Sequence, residues 1–208
     1  MPIPNLNTVK EKVLSERHRT MLEEDSGIYP EVIEARGYWS AESVADLESE
    51  PGIKPNQHHA PALVLPIYGV DGTYKYSRVR PDQPPPESGK YLQPSGTPNV
   101  LDVPRTVLDK VMDASVPLAL TEGEKKADHL ASRGVAVVCL FGVWNWSNKV
   151  GEGTPYETQL LLECFDRVPL RDREVAILFD CDTRINKNIQ LAAYRLASKL
   201  RERGAILW

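Results

Sequence analysis

The spacing of apolar residues shows an alternation of strands and helices in residues 111–208. The runs VPLAL, VAVVCLF and EVAILFD predict three buried strands, and AILW predicts the start of a fourth. Helices are predicted between them over EKKADHLASR, around ETQLLLECF and over NIQLAAYRLASKLRERG, with Gly134 and Gly204 ending the first and the last. This order predicts an α/β domain with a parallel sheet flanked by helices.

Residues 1–110 are polar and broken, and they hold 14 of the 17 prolines. Helical patterns run from Thr8 to about Glu24 and over PEVIEAR and AESVADLES. The alternating runs ALVLPIY and TYKYSRVR flank a Val-Asp-Gly turn and predict a β-hairpin. The parallel-sheet domain is therefore expected to follow a small α+β module. The expected parts are a helical lead-in over 1–55, a β-hairpin subdomain over 56–110 and the α/β domain over 111–208.

The second strand of the hairpin carries aromatic and basic residues on one face. Residues two apart in a strand share a face, so this set comprises Tyr74, Tyr76, Arg78 and Arg80. Such a face is either a solvated sheet surface or a surface that stacks bases and binds phosphates, and the spacing leaves both open. A proline-rich loop then leads to KYLQPSG, which begins with Lys90 and Tyr91.

Composition excludes several classes of protein. With 41% hydrophobic and 26% charged residues, the 208-residue chain is neither collagen-like, nor a coiled coil, nor wholly disordered. A net charge of −4 argues against a uniformly basic DNA-binding protein but leaves room for a local basic patch. Three cysteines without a CxxC pair predict neither a disulfide framework nor a zinc site. The sequence shows no secretion signal and no long apolar stretch, so a cytoplasmic protein without a membrane partner is expected.

Acidic residues stand at the ends of two predicted strands. Glu122 directly follows the first buried strand, and Asp180 and Asp182 close EVAIL. In extended backbone, residues two apart point the same way, so the two aspartates repel unless a cation lies between them. Paired carboxylates suit Mg²⁺, while a salt bridge to Arg184 or Lys187 is the alternative.

Two further pairs of residues lie close to these acids in the predicted topology. Lys125 and Lys126 begin the helix after Glu122, where backbone N–H groups and the helix dipole favour a phosphate. A solvated helix face is the other interpretation. Trp144 and Trp146 follow the strand VAVVCLF and either stack on a base or nucleotide or cap the core.

The order of these motifs resembles a known fold. A glutamate ending one parallel strand and an Asp-x-Asp ending a later one resemble the TOPRIM fold of bacterial primases, topoisomerases and some nucleases. TEGEKKADHLASRG and VAVVCLFGVWNW resemble a TOPRIM-like family of uncharacterised replication proteins from phages, plasmids and other mobile elements. LVLPIYGVDGTYKYSRVRPDQ and GKYLQPSG resemble the subdomain that precedes TOPRIM in bacterial primases.

The resemblance implies roles for individual residues. Glu122 takes the position of the general acid/base glutamate, which can also hold a metal ion. Asp180 and Asp182 take the metal-binding positions, and the cofactor implied is Mg²⁺ or Mn²⁺. The implied nucleic-acid-binding groove contains Arg78, Arg80, Lys90 and Tyr91, with Lys125 and Lys126 beside it.

The expected function is therefore that of a primase-type module in the replication of a mobile element. It would catalyse metal-dependent nucleotidyl or phosphoryl transfer on single-stranded DNA. There are two alternatives. One is a non-catalytic nucleic-acid-binding module that works with a helicase, and the other is a Mg²⁺-dependent nuclease. The expected partners are single-stranded DNA or RNA, nucleotides, and a helicase or another replication protein.

The sequence departs from the primase pattern in three respects. It has no zinc-ribbon spacing. It ends as the fourth strand begins, so a C-terminally incomplete TOPRIM-like domain is expected. TRIN follows Asp182 where primases have small residues, which leaves a degenerate metal site open.

Overall fold

The N-terminal half combines short helices with an antiparallel sheet. The structure, a computed structural model, describes residues 11–48, 50–86, 88–148, 153–180 and 186–208. The lead-in contains α1 (Glu16–Thr20), which continues as a π-helical turn (Met21–Asp25), and then α2 (Pro30–Arg36), β1 (Trp39–Ala41) and α3 (Val44–Glu48). Strands β2 (Ala62–Tyr68) and β3 (Tyr74–Pro81) form the predicted hairpin, and β1 pairs with β2 to complete a sheet in the order β1-β2-β3.

A parallel sheet forms the C-terminal half. The short helix α4 (Leu108–Val111) precedes β4 (Leu118–Glu122), α5 (Glu124–Ser132), β5 (Ala136–Leu140), β6 (Glu174–Leu178), α6 (Lys187–Glu202) and β7 (Ile206–Leu207). The strand order is β5-β4-β6-β7, and each neighbouring pair is parallel. These findings confirm the predicted α/β fold, with a parallel sheet after a small α+β module. Among the described segments, none of the helices has the length and apolarity needed to cross a bilayer.

Both faces of the hairpin sheet are covered. Leu63 and Leu65 of β2 pack into the main core, which extends across the parallel sheet and α6. Val64, on the opposite face, packs with Val79 of β3 and Trp39 of β1 in a second, smaller core. Because β2 is buried on both sides, its sequence is a nearly continuous run of apolar residues.

Arg36 connects the lead-in to the parallel-sheet domain. Its guanidinium is 1% exposed and donates hydrogen bonds to both carboxylates of Asp102 and Asp128. Tyr38 also donates its hydroxyl to Asp128 at 2.5 Å. Burial acts to lower the pKa of Arg36, but the two carboxylates outweigh it and raise that pKa well above its usual value. Since Asp128 lies on α5, this network fixes α2 against the domain that carries the predicted acids.

Two helix predictions are wrong in extent or in kind. The helix predicted from Thr8 starts at Glu16 within the described residues. Before it, the carbonyl of Val13 accepts a hydrogen bond from the N–H of Ser40, and the N–H of Ser15 donates to the hydroxyl of Ser40. The segment ETQLLLECF forms two 3₁₀ turns, Tyr156–Thr158 and Glu163–Arg167, and no α-helix. Between those turns, the backbone at positions 160–162 pairs with positions 146–148, which removes the hydrogen bonds that a helix would need.

Candidate active site

Glu122 and Asp180 lie together at the carboxyl edge of the parallel sheet. Glu122 is the last residue of β4, and Asp180 follows the neighbouring strand β6 by two residues. The Oε1 atom of Glu122 accepts a hydrogen bond from the backbone N–H of Asp180 at 2.9 Å. Asp182, the third predicted acid, lies outside the described residues.

The backbone around Glu122 is held in place by its neighbours. Thr121 donates its hydroxyl to the carbonyl of Leu178 at 2.9 Å, which joins the ends of β4 and β6. Gly123 then turns the chain into α5 with φ 88°, a conformation that favours glycine, and its N–H bonds the carbonyl of Leu140. The carboxylate of Glu122 is thereby fixed over the sheet edge.

One oxygen of Glu122 lacks a hydrogen-bond partner. The Glu122 side chain is 16% exposed, and its Oε2 atom is buried with no hydrogen-bond partner among the described residues. A buried carboxylate oxygen without a partner raises the free energy of the fold, because no hydrogen bond replaces the water that it loses. This oxygen therefore lacks the compensation that a positively charged ligand would supply.

Lys126 supplies positive charge to the acid pair. It lies one helical turn after Glu122, and its Nζ atom is 3.4 Å from Glu122 Oε1. The same Nζ forms an ion pair with Asp180 Oδ1. The ammonium of Lys126 therefore contacts both carboxylates, and phosphate binding by Lys126 stays a prediction.

The residues fit a Mg²⁺ ion. Mg²⁺ commonly binds through one or two carboxylates and keeps several waters or takes substrate phosphates. Glu122 and Asp180 supply two such carboxylates at one edge, and the buried Oε2 of Glu122 remains unsatisfied by protein groups within the described residues. No cluster of three or more His, Cys, Asp or Glu side chains occurs in that part of the chain. Glu122 and Asp180 are thus the residues that would hold the ion.

Arg78 is buried and forms an ion pair. Its Nη1 atom contacts Glu124 Oε1, and Glu124, on α5, is fully buried. The guanidinium also stacks on Phe141 at 4.6 Å and on Tyr91 at 5.2 Å from the ring centres. The expectation that Arg78 directly contacts nucleic acid needs correction, because its side chain is only 10% exposed and its charged group is paired with Glu124 of α5. Alternation along the strand predicts which face a residue shares, not what covers that face.

A basic cluster surrounds Lys125, near the start of α5. It consists of Arg80 on β3, Lys90 in the following loop and Lys125 on α5. Burial, together with the charges of Arg80 and Lys90, lowers the pKa of Lys125. Lys125 donates to Ser26 Oγ at 2.9 Å, and Arg80 contacts the sulfur of Met21. Adjacent to them, burial raises the pKa of Tyr91 to about 12, so its phenol stays neutral near physiological pH.

A cleft of about 470 Å³ lies beside the ends of β4 and β6 and reaches Lys125 of the basic cluster. Its apolar lining comes from Leu130 and Leu178, and its positive charge comes from Lys125 and Lys126. The remaining lining residues are Ser26, Thr121 and His129. His129 contacts the carbonyl of Ser26 at 2.9 Å. Sequence patterns did not single out Ser26 or His129, because only the packing of the lead-in on α5 brings them to this edge.

The two predicted stacking tryptophans have different environments. Trp146 is 0% exposed, so the prediction that it stacks on a nucleotide is wrong and the core interpretation holds. Its ring fills the space under the loop after β5 as part of the main core. Trp144 is half-buried, donates its indole N–H to Asn188 at 3.1 Å and lies 5.7 Å from the guanidinium of Arg195. Stacking by Trp144 stays a prediction.

Part of the sequence matches a known protein family. Residues 108–207 match the profile of a family described as a domain of unknown function, DUF3854. A search of curated proteins gave no match.

Comparison with solved structures finds bacterial primases. The chain is similar to the Aquifex aeolicus primase (zinc-binding and RNA polymerase domains), with 16% identity, 93% of this chain and 49% of that chain covered, and a TM-score of 0.64. The RNA polymerase domain of Mycobacterium tuberculosis primase DnaG is 14% identical, with 91% of this chain and 67% of that chain covered and a TM-score of 0.60. A DnaG primase catalytic domain bound to ssDNA is 15% identical, with 87% of this chain and 58% of that chain covered and a TM-score of 0.54.

These relatives are longer than this chain. It spans 49% of the Aquifex structure and 58% of the ssDNA-bound DnaG domain. At such identities the likeness concerns architecture: the parallel sheet, its helices and the preceding hairpin sheet. The chain therefore has the fold of the catalytic core of bacterial primases.

Proposed function

We propose that this chain is a primase-type module that catalyses metal-dependent nucleotidyl transfer on single-stranded DNA. The observation that carries the proposal is the meeting of Glu122 and Asp180, which two separate strands bring to one sheet edge. Parallel α/β sheets bind their ligands at this edge. We place the reaction in the cytoplasm and in the replication of a mobile element, as the sequence resemblance implies.

In this proposal the two acids hold Mg²⁺ or Mn²⁺. When bound, the ion neutralises charge on the phosphates and helps to orient the attacking and leaving oxygens. Asp180, whose side chain is 57% exposed, would face the incoming nucleotide. Glu122 is better shielded, and its buried Oε2 can accept a proton from an attacking hydroxyl or join in holding the ion.

The basic cluster gives the template and the nucleotide phosphates a place to bind. Lys90 is exposed, and Arg80 and Lys125 are partly exposed. Positive groups near a cleft attract phosphate and make binding sensitive to salt. One of the solved relatives is described as bound to ssDNA, which agrees with a single-stranded template for this chain.

A primer-synthesis assay tests the proposal. Purified chain, a single-stranded DNA template, nucleotides and Mg²⁺ or Mn²⁺ should give short primers that are resolved on a gel. Glu122→Gln and Asp180→Asn should abolish them. Asp166→Asn is a matched control, because Asp166 pairs with Arg203 near the other end of α6. Undiminished synthesis by both acid variants would contradict the proposal, and degradation of the template without synthesis would identify a nuclease instead.

A second candidate is a non-catalytic module that binds single-stranded DNA for a helicase. The contact of Lys126 with both acids favours it, because an ammonium already balances part of their charge. This candidate requires binding that is independent of metal and unchanged in Asp180→Asn. Binding of that kind, with no primer product under any metal, would select it over the catalytic proposal.

A further inference from the structure

Lys126 occupies the position between the two carboxylates that a cation would compete for. Its Nζ contacts Asp180 Oδ1 and lies 3.4 Å from Glu122 Oε1. The neighbouring Lys125 points elsewhere and donates to Ser26. Two lysines next to each other in sequence therefore have different partners at the same edge.

We propose that Lys126 is a resident counter-ion of the acid pair, which a divalent cation must displace before Glu122 and Asp180 can hold it. This inference rests on the proposed function, because it concerns the same two carboxylates. It assigns Lys126 the role of a positioning residue that sets metal affinity. Direct phosphate binding, which the sequence suggested for Lys126, is then available only after displacement.

Geometry makes the displacement possible. The Lys126 side chain is 43% exposed and projects from the first turns of α5, so its ammonium can move into solvent while the helix stays in place. Glu122 cannot move as freely, because Oε1 is tied to the backbone of Asp180 and Oε2 is buried. The carboxylate therefore stays in position while the lysine leaves.

The cleft offers the displaced ammonium a new partner. Lys126 and Lys125 both line it, next to the apolar side chains of Leu130 and Leu178. A substrate phosphate in the cleft would attract the released ammonium by charge. Metal loading and phosphate binding are then coupled through one side chain, and such coupling acts equally in both directions.

Mn²⁺ binding measured by isothermal titration calorimetry tests the inference. In Lys126→Met, which keeps the length of the stem and removes the charge, the dissociation constant for Mn²⁺ should fall by about tenfold, since a competing charge in direct contact is gone. Lys126→Arg keeps the charge and should stay within about threefold of wild type. Lys125→Met removes the same charge from the adjacent position and should also stay within about threefold, because Lys125 does not contact the acids.

A second measurement uses the unaltered protein. Trace acetylation followed by mass spectrometry reports how accessible each lysine amine is. Mn²⁺ should raise the labelling of Lys126 several-fold and leave that of Lys125 unchanged. This readout does not depend on the folding of any variant.

The outcomes separate this inference from the proposed function. If wild type binds Mn²⁺, but Lys126→Met binds it no more tightly and Lys126 labelling does not change, the counter-ion role is refuted while the metal site stands. If no form of the chain binds Mn²⁺, the metal-dependent function fails as well. Tighter binding in Lys126→Met together with metal-dependent labelling of Lys126 supports both.

Discussion

Arg78 on the hairpin and Glu124 at the start of α5 form a buried ion pair between β3 and α5. The guanidinium also contacts the rings of Phe141 and Tyr91. The pair joins the two parts of the chain directly beside the acid edge, because Glu124 lies two residues after Glu122. The hairpin therefore helps to fix the start of α5, on which both site lysines lie.

Removing one member of this pair should destabilise the fold. Arg78→Met leaves the Glu124 carboxylate buried without its cation, which typically costs about 3 kcal/mol or more. Urea denaturation followed by circular dichroism measures the loss. The double variant Arg78→Met with Glu124→Gln should lose less than the sum of the two single variants, because the unpaired charge is gone. Simple additivity would show that the two residues are not coupled.

Arg80 and Lys90 should act on nucleic acid rather than on stability. We expect Arg80→Ala and Lys90→Ala to weaken binding of single-stranded DNA, and each to reduce the slope of log affinity against log salt by roughly 0.7, the value for one phosphate contact on a single strand. Fluorescence anisotropy over a range of salt concentrations measures this slope. Arg203→Ala serves as the control, since Arg203 pairs with Asp166 at the far end of α6. If both variants keep the wild-type slope, Arg80 and Lys90 do not contact the DNA phosphates.

Arg36 should be among the most sensitive positions in the fold. Arg36→Met leaves Asp102 and Asp128 buried without their shared cation, so we expect a loss of at least about 3 kcal/mol in the free energy of unfolding. Arg105→Met is the comparison. Arg105 is exposed, donates a 3.3 Å hydrogen bond to the carbonyl of Ala35 and lies over the ring of Tyr68 at 5.1 Å, so its loss should cost no more than about 1 kcal/mol. Equal losses at the two positions would show that the buried network contributes little.

The turn of the hairpin should give stability a dependence on pH. Asp71 accepts hydrogen bonds from Lys75 and Thr73, which hold its pKa well below the usual value for aspartate. A depressed pKa stabilises the folded state above the usual aspartate pKa, and this contribution is lost as the pH falls toward the lowered value. The melting temperature of wild type should therefore exceed that of Asp71→Asn at neutral pH, and the difference should shrink toward about pH 3. A difference that stays constant with pH would contradict this assignment.

The sequence predicted the meeting of Glu122 and Asp180 because of a simple rule of topology. Both residues end strands, and in a parallel sheet all strands end at the same edge. Apolar runs of strand length between amphipathic helices were enough to establish that sheet. The hairpin was equally visible, because its two strands flank a turn with the residues that turns require.

Other features depend on packing that a linear pattern does not contain. The face of β3 that carries Arg78 looked open to solvent or nucleic acid, but α5 and Phe141 cover it. Trp146 lies in the core because the backbone at positions 146–148 pairs with positions 160–162, and this pairing also replaces the predicted helix around ETQLLLECF. The contact of Lys126 with the acids was also missed, since a lysine at a helix start suggests a phosphate as readily as a carboxylate.

The most direct test of the central claim compares synthesis with binding in a single variant. Asp180→Asn keeps the size of the exposed side chain and removes one negative charge. If Glu122 and Asp180 form a metal-dependent catalytic pair, the rate of primer synthesis should fall at least about a hundredfold, while the affinity for single-stranded DNA stays within about threefold of wild type. A synthesis rate equal to that of wild type in Asp180→Asn would contradict the claim.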